Sequence, residues 1–380
     1  MMKRYVVMFV LAFLFFQVKP VMAYEYTTDI SLSFTEEYND NIFLDHLYRD
    51  SDFITYISPG INFSVKSTNS ELRLGYSPSF SFYSDHDELN DTAHRFTANG
   101  SFTLSDRLSL TLTDTFVKSS EISDIRAIPD IGPLTGRIER TLHNISGNIS
   151  HRLSDTFSYT VGASYFDTDY TESGFIDVKT YSGNMSLSYR SSERTTLSAN
   201  ARYIKYDYRT VTDAEGQDYT VGVTHRFSPT VTGSLTGGIT ITKIEDIGET
   251  DTGFTGNLNI TKTFEKGVAA LSCGQTVIAG VETGTPIRDQ TVRLRLTRPI
   301  TNQLAASISA SYSNFKSVET NDIDTNEISF NTDLTYSFTP WANFSLSYSY
   351  INNDDKITNT GDYYNHIVLL TLRLNYSRRL

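Results

Sequence analysis

Between residues 183 and 205 the chain reads GNMSLSYR, a tight SSE, then RTTLSANARYIK. Met185, Leu187 and Tyr189 alternate with Ser186, Ser188 and Arg190. After the turn, Leu197, Ala199, Ala201 and Tyr203 alternate with Thr196, Ser198, Asn200 and Arg202. An apolar side chain at every second position is the period of a β-strand, whose successive side chains point to opposite faces. The unit recurs to the end of the chain, and about 18 strands are expected, from 26–36 and 53–65 at the start to 342–351 and 364–377 at the close. Short connections at 67–70, 105–106, 154–155, 191–193, 228–229, 265–266, 299–302 and 339–340 take turns with long acidic ones such as 84–91 (SDHDELND), 167–177, 243–251, 315–326 and 352–362. Short turns at one end and long loops at the other predict an all-β chain, a transmembrane antiparallel up-and-down β-barrel of the outer-membrane kind. The turns and both termini are expected in the periplasm, and the loops outside the cell.

Composition agrees with strands that are apolar on one face only. The chain has 24 Tyr and 23 Phe, yet its mean hydropathy is −0.29, and no helical period is evident after the first segment. Phe157, Phe227, Phe264, Phe338 and Phe344 fall near the turn ends of strands, and Phe82, Tyr165, Tyr203, Tyr219 and Phe254 near the loop ends. Two such bands are what interfacial aromatic girdles require. The last strand, HIVLLTLRLNYSRRL, alternates Val368, Leu370, Leu372, Leu374 and Tyr376. It resembles the terminal strand by which such barrels are recognised for insertion, except that it closes on Arg378, Arg379 and Leu380 instead of Phe.

The first segment is read as an address. Lys3 and Arg4 precede an apolar run over 5–18, and Val21, Met22 and Ala23 end it with small residues at the last and third-last places. That is the pattern of a secretory signal peptide over 1–23, with the barrel over 24–380. Removing it takes three cations and no acid, and the formal charge falls from −12 to about −15. The single Cys273 excludes an intramolecular disulfide.

Where the first strand ends, the chain reads Glu37, Tyr38, Asn39, Asp40, Asn41, Ile42, Phe43, Leu44. An E-x-Y-x-D-N-[IV] string after the first strand of a signal-bearing barrel resembles the β-barrel porin 2 family. The resemblance implies a channel linked to exopolysaccharide export and surface-protein sorting, with a periplasmic polysaccharide export complex as partner. Read from the residues alone, Asp40 and Asn41 serve equally as turn caps, whose side chains bond nearby amides.

The polar face of the strands carries Arg73, Arg95, Arg140, Arg202, Arg293, Arg295 and Arg373 among Ser, Thr and Asn, against the acids Glu71, Asp218, Glu327 and Asp333. Fixed cations in a confined, hydroxyl-rich lumen favour anionic or neutral solutes such as sugars. Arg107, Arg152, Arg190, Arg194 and Arg226 adjoin short turns, where a rim role is equally open. Residues 117–137 hold Ile122, Ile125, Ile128, Ile131 and Leu134. Such a loop is expected either to fold inward as a constriction carrying Asp124, Arg126 and Asp130, or to extend as a hairpin.

The reading is a passive, non-enzymatic channel without cofactor, metal or nucleic-acid partner. It is expected to export exopolysaccharide; the alternatives are a general diffusion porin for small solutes and a closed structural or attachment barrel. Outer-membrane lipid, lipopolysaccharide and the barrel assembly machinery are its other expected partners. His46, His86 and His94, with Asp45, Asp85 and Asp87, lie in or near loops, but no catalytic or metal-ligand spacing joins them.

Overall fold

The computed structural model of the protein describes residues 24–121, 138–171, 175–209, 211–245, 250–280, 285–318, 323–357 and 362–379. In chain order the strands are β1 (Glu25–Asn39), β2 (Asp52–Lys66), β3 (Ser70–Tyr83), β4 (Asp91–Ser105), β5 (Leu108–Ser119), β6 (Arg140–Arg152), β7 (Phe157–Tyr170), β8 (Val178–Arg190), β9 (Thr195–Tyr208), β10 (Ala214–Ser228), β11 (Val231–Ile244), β12 (Thr250–Phe264), β13 (Gly267–Ala279), β14 (Pro286–Pro299), β15 (Leu304–Ser317), β16 (Asp324–Thr339), β17 (Ala342–Asp355) and β18 (Tyr363–Arg379). Each strand is hydrogen-bonded to the one before and the one after, and β1 also pairs with β18, so the 18-stranded sheet closes on itself as an antiparallel barrel. The expected fold and strand number are those of the structure. The expected signal peptide, residues 1–23, lies outside the described residues.

Residues directly opposite one another share a face. Ile30, Phe34 and Tyr38 of β1 stand opposite Ile61, Ile57 and Phe53 of β2, while Ser31, Ser33 and Thr35 stand opposite Gly60, Ser58 and Tyr56. The first set is the outer face, where Ile30, Phe34, Tyr38, Phe53 and Ile61 are exposed; the second lines the interior. The outer face includes a polar contact: His143 Nε2 lies 2.9 Å from Asp114 Oδ1, with the imidazole edge-on to the Phe116 ring.

The short turns are held by the residues that spell them. Ser70 N donates to Ser67 Oγ at 3.1 Å, Phe157 N to Ser154 Oγ at 3.0 Å and Leu304 N to Thr301 Oγ1 at 2.9 Å. Such hydroxyl-to-backbone bonds make Ser and Thr turn residues. Gly267 has a φ of +138° and its missing Cβ would stand 2.7 Å from Thr297 O, so that turn needs glycine. The described chain begins and ends at this turn end, Thr27 standing opposite Arg379.

At the loop end the alternation changes sign. Ile204, Tyr206 and Tyr208 of β9 turn inward and are buried, while Lys205 and Asp207 take the outer face. Val117 with Lys118, Val178 with Lys179, Ile244 with Lys243 and Phe315 with Lys316 repeat the inversion. The apolar band of such a barrel is only about 25 Å tall, so strands that outrun it meet water outside and bury their apolar side chains within. This explains why the strands extend past their expected ends, β1 past 36 to Asn39 and β17 past 351 to Asp355.

Away from the one-residue shifts beside the short turns, two ladders are interrupted among the described residues. Between β2 and β3 the register passes from Ile57 and Phe80 to Ile61 and Tyr76, skipping the stretch that holds Pro59 and Pro78, which lack the amide a ladder uses. Between β12 and β13 it stops at Gly256 and Gln275, although both strands continue toward the loop end.

Candidate channel lumen

The interior wall at mid-barrel is built from short polar side chains that bond across the strands. Ser58 pairs with Ser79 at 2.7 Å, Ser164 with Ser182 at 2.7 Å, and Ser311 with Ser329 at 2.6 Å. Into this wall the register sets six arginines. Arg73 stands opposite Ser64 and Asn99, Arg95 opposite Ser77, and Arg202 opposite Asn184 and Asp218. Arg293 stands opposite Ser272 and Ser311, Arg295 opposite Ala270 and Ser309, and Arg373 opposite Ser33 and Asn343. Arg293 and Arg295 are successive inward residues of one strand with no acid beside them on β13 or β15, which makes them a local cationic patch. Arg73 instead reaches Glu71, Nε to Oε1 at 2.5 Å.

Arg140 departs from the expected wall. It has the inward parity, opposite Ser119, but is only 1% exposed. Its Nε donates to Ile138 O at 3.3 Å and its guanidinium carbon lies 5.4 Å from the centre of the Tyr170 ring. It is a buried brace at the loop end. Glu71, Asp218, Glu327 and Asp333 all face inward. So do Asp29, Glu37 and Asp289, which the sequence reading did not count as lumen acids. Their parity with Ser31, Ser33 and Thr291 was the available signal. The interior is therefore a mixed field with separate cationic and anionic places, and not a uniform ring of cations. At the turn end, Arg107, Arg152 and Arg226 bond the turn carbonyls of Leu153, Asp106 and Glu193.

Two cavities follow this wall. One of about 750 Å³ runs along β1 to β4 and β18 and includes Asp29, Glu37, Arg95 and Arg373. Another of about 480 Å³ lies along β6 to β10 and includes Arg202 and Asp218. Toward the loop end two apolar clusters fill part of the interior. Val117, Leu142, Val178, Ile204, Tyr206, Tyr208, Ala214, Ile244 and Ala279, from seven strands, form one buried cluster. Ile278, Ile287, Phe315 and Ile323 form a second. The expected constriction residues Asp124, Arg126 and Asp130 lie outside the described chain. Glu121, just before them, is buried and accepts from Tyr56 Oη at 3.0 Å and Tyr83 Oη at 3.1 Å, two inward side chains of β2 and β3.

The string at 37–44 is a clasp over the seam between the first and last strands. Asn41 is fully buried. Its Nδ2 donates to Tyr364 O at 3.1 Å and Asp45 O at 2.9 Å, and its Oδ1 accepts from Asp45 N at 2.9 Å. Asn365 Nδ2 returns a bond to Asn41 O at 3.0 Å, and Asp40 Oδ1 accepts from His366 N at 2.7 Å. Asp40 also pairs with Arg49, whose guanidinium lies over the Tyr364 ring at 3.7 Å. Glu37 is buried and accepts from Asn39 Nδ2, and Ile42 packs on Ile54 and Tyr83. Tyr38 stays outside against Phe53.

A second tie joins this loop to the next. The Asp52 carboxylate accepts from the amides of Ser84, Asp85 and His86 and lies 2.9 Å from His86 Nδ1, while His86 Nε2 is 3.2 Å from Asp50. Burial pushes Asp52 upward, but the bonds from His86 and from the amides outweigh it and hold the carboxyl below its usual range. The bond to Asp52, with Asp50 nearby, raises His86 above the ordinary imidazole value. His46 and His94 are elsewhere, His94 against Tyr76 on the outer face.

No family model matches the chain, and no curated protein does. Solved structures match its fold. It is similar to Pseudomonas aeruginosa OpdK with vanillate at 11% identity and a TM-score of 0.51, covering 92% of this chain and 99% of that one. It is similar to P. aeruginosa OccK2 (OpdF) in complex with glucuronate at 9% identity and a TM-score of 0.52, covering 92% and 98%. Acinetobacter baumannii OccAB4 aligns at 12% identity and a TM-score of 0.50, covering 95% and 100%. The architecture is that of an outer-membrane porin barrel.

Proposed function

We propose that the protein is a passive outer-membrane channel for small organic anions, with the short turns and both termini in the periplasm and the long loops outside. The observation that carries this reading is the cationic patch of Arg293 and Arg295 on a hydroxyl-rich interior wall, with Arg95, Arg202 and Arg373 on other strands. Bidentate guanidinium–carboxylate bonding suits arginine to that task. OpdK and OccK2 were crystallised with vanillate and glucuronate, both small carboxylates. The apolar clusters at the loop end favour a small solute over a polymer strand, because seven strands contribute to one buried packing there. Export of exopolysaccharide rested on the string at 37–44, whose Asp40 and Asn41 are engaged in the clasp.

The test is single-channel conductance in a planar bilayer, with reversal potential measured under a salt gradient and block by glucuronate. Wild type should prefer anions, and Arg293→Gln with Arg295→Gln should lower that preference and weaken glucuronate block. A cation-selective wild-type pore, or a double variant indistinguishable from wild type, overturns the reading.

A further inference from the structure

The ladder between β12 and β13 ends at Gly256 and Gln275, yet Thr250 to Thr255 remain paired to β11 and Thr276 to Ala279 remain paired to β14. The two strands part while each keeps its other neighbour. β13 parts inward. Ala279 joins the interior cluster with Ile244, Tyr206 and Tyr208, and Val277 O accepts from Tyr206 Oη at 3.4 Å. Tyr206 belongs to β9, four strands away, so a carbonyl near the seam is met from inside the barrel.

Side chains take over where the ladder stops. Thr255 Oγ1 donates to Gln275 O at 3.1 Å, Gln275 Nε2 to Phe254 O at 2.5 Å, and Gln290 Nε2 to Gln275 Oε1 at 2.5 Å. Above them Arg288 of β14 reaches past β13, and its Nη2 donates to Asp251 Oδ2 of β12 at 2.7 Å. Gly253 leaves room for it: a Cβ there would stand 3.3 Å from Arg288 Nη2. Phe254, on the unpaired stretch, is exposed on the outer face in the loop-side aromatic band, so the parting lies at the level of the outer-leaflet headgroups.

Arg288 is incompletely used. Its Nε is buried with no acceptor, while Asp251 takes only one arm of the guanidinium. A free carboxylate can bind Nε and Nη2 together, a stronger arrangement than the single bond now made. Just inside the parting stand the apolar Ile278, Ile287 and Phe315. We propose that the unzipped stretch of β12 and β13 is a lateral gate, latched by Arg288 and Asp251, that admits small amphipathic carboxylates from the outer-leaflet surface into the barrel. The carboxylate displaces Asp251 from Arg288, and its apolar part follows inward. The proposal rests on the closed barrel and is independent of whether the axial lumen conducts.

The test places a reporter on the inner side of the seam. With the one native tryptophan removed by Trp341→Phe, Ile278→Trp puts an indole at an inward position beside the parting, and Ile204→Trp gives an inward control on a fully laddered strand. The full barrel is reconstituted in phosphatidylcholine carrying a nitroxide on its headgroup. The indole at 278 should be quenched severalfold more than the one at 204, and more still after Asp251→Asn releases the latch. Octanoate should shift the emission at 278 while octanol does not, and Arg288→Ala should raise the octanoate half-saturation about tenfold. Equal quenching at 278 and 204 with and without Asp251→Asn overturns the gate. An octanoate response indifferent to Arg288→Ala overturns the carboxylate assignment. If Ile278→Trp does not fold by heat-modifiable migration, Thr276→Trp, also inward at the seam, takes its place.

Discussion

Two seams of this barrel are finished in opposite ways. β1 and β18 are joined by no turn; closing them brings together segments separated by most of the chain. Their ladder runs unbroken from Thr27 and Arg379 to Asn39 and Ile367, and the clasp of Asp40, Asn41 and Asn365 extends it past the last pair. β12 and β13 are neighbours across a short turn, and their ladder stops partway. The cost of closing a loop rises with its length, although slowly. A local hairpin re-forms readily and tolerates an unpaired end, whereas the seam made by the chain's ends has no such help and carries added bonds where fraying would begin.

The largest expected effect is therefore at the clasp. Asn41→Ala removes three side-chain bonds at a fully buried position and leaves Tyr364 O without its side-chain donor, while water takes over the amide and carbonyl of the exposed Asp45. A buried group left unsatisfied costs roughly 1–3 kcal/mol, and a loss in that range is expected. The loss should appear as a clear fall in the temperature at which the folded band disappears in heat-modifiable migration. Gln275→Ala, the matching deletion at the other seam, should shift that temperature much less. Equal shifts would erase the distinction between the seams.

The tie between Asp52 and His86 gives the clasp side a pH signature. A histidine raised on folding contributes stability that is complete below its unfolded value of 6.5 and is lost as pH rises through its raised folded value. An aspartate lowered on folding contributes above its unfolded value of 3.8 and loses that contribution as pH falls through its depressed folded value. Heat-modifiable stability should thus decline as pH rises beyond 6.5, and His86→Gln should flatten that decline. A decline of the same size in His86→Gln would assign it elsewhere.

The barrel was legible because a period of two survives wherever one face meets lipid and the other meets polar solvent. Met185, Leu187 and Tyr189 announce it, and a turn such as Ser154 with Asp155 marks where it ends. Legibility failed where that contrast reverses: Ile204, Tyr206 and Tyr208 look like the start of another apolar face, yet they point inward above the lipid band. Of the interior, the arginines could be read because their parity matches the serines beside them. Arg140 has the same parity but lies in the inverted zone, where inward means buried. The clasp could be seen as a string but not as a seam, since its partners Tyr364, Asn365 and His366 are more than 320 residues away. The parting of β12 from β13 shows in the sequence only as a lapse of period in β13, where Gln275 takes an outer place and Val277, Ile278 and Ala279 run on as consecutive apolar residues; the same lapse marks strands that simply outrun the lipid band, so it does not by itself announce a parting.

The smallest expected effect sharpens the comparison most. Asp251 and Arg288 are each about a quarter exposed, at 26% and 25%, and a partly exposed ion pair contributes about 0–1 kcal/mol. Asp251→Asn should therefore leave the heat-modifiable transition nearly where it was. The same substitution should increase access of a headgroup-bound quencher to position 278, because that pair spans strands with no ladder between them. A latch differs from a clasp in this respect: its removal changes who can enter, not whether the barrel holds. Were Asp251→Asn instead to lower the transition as far as Asn41→Ala does, the β12–β13 seam would be another point of closure, held by one ion pair where the first is held by a ladder and a buried asparagine.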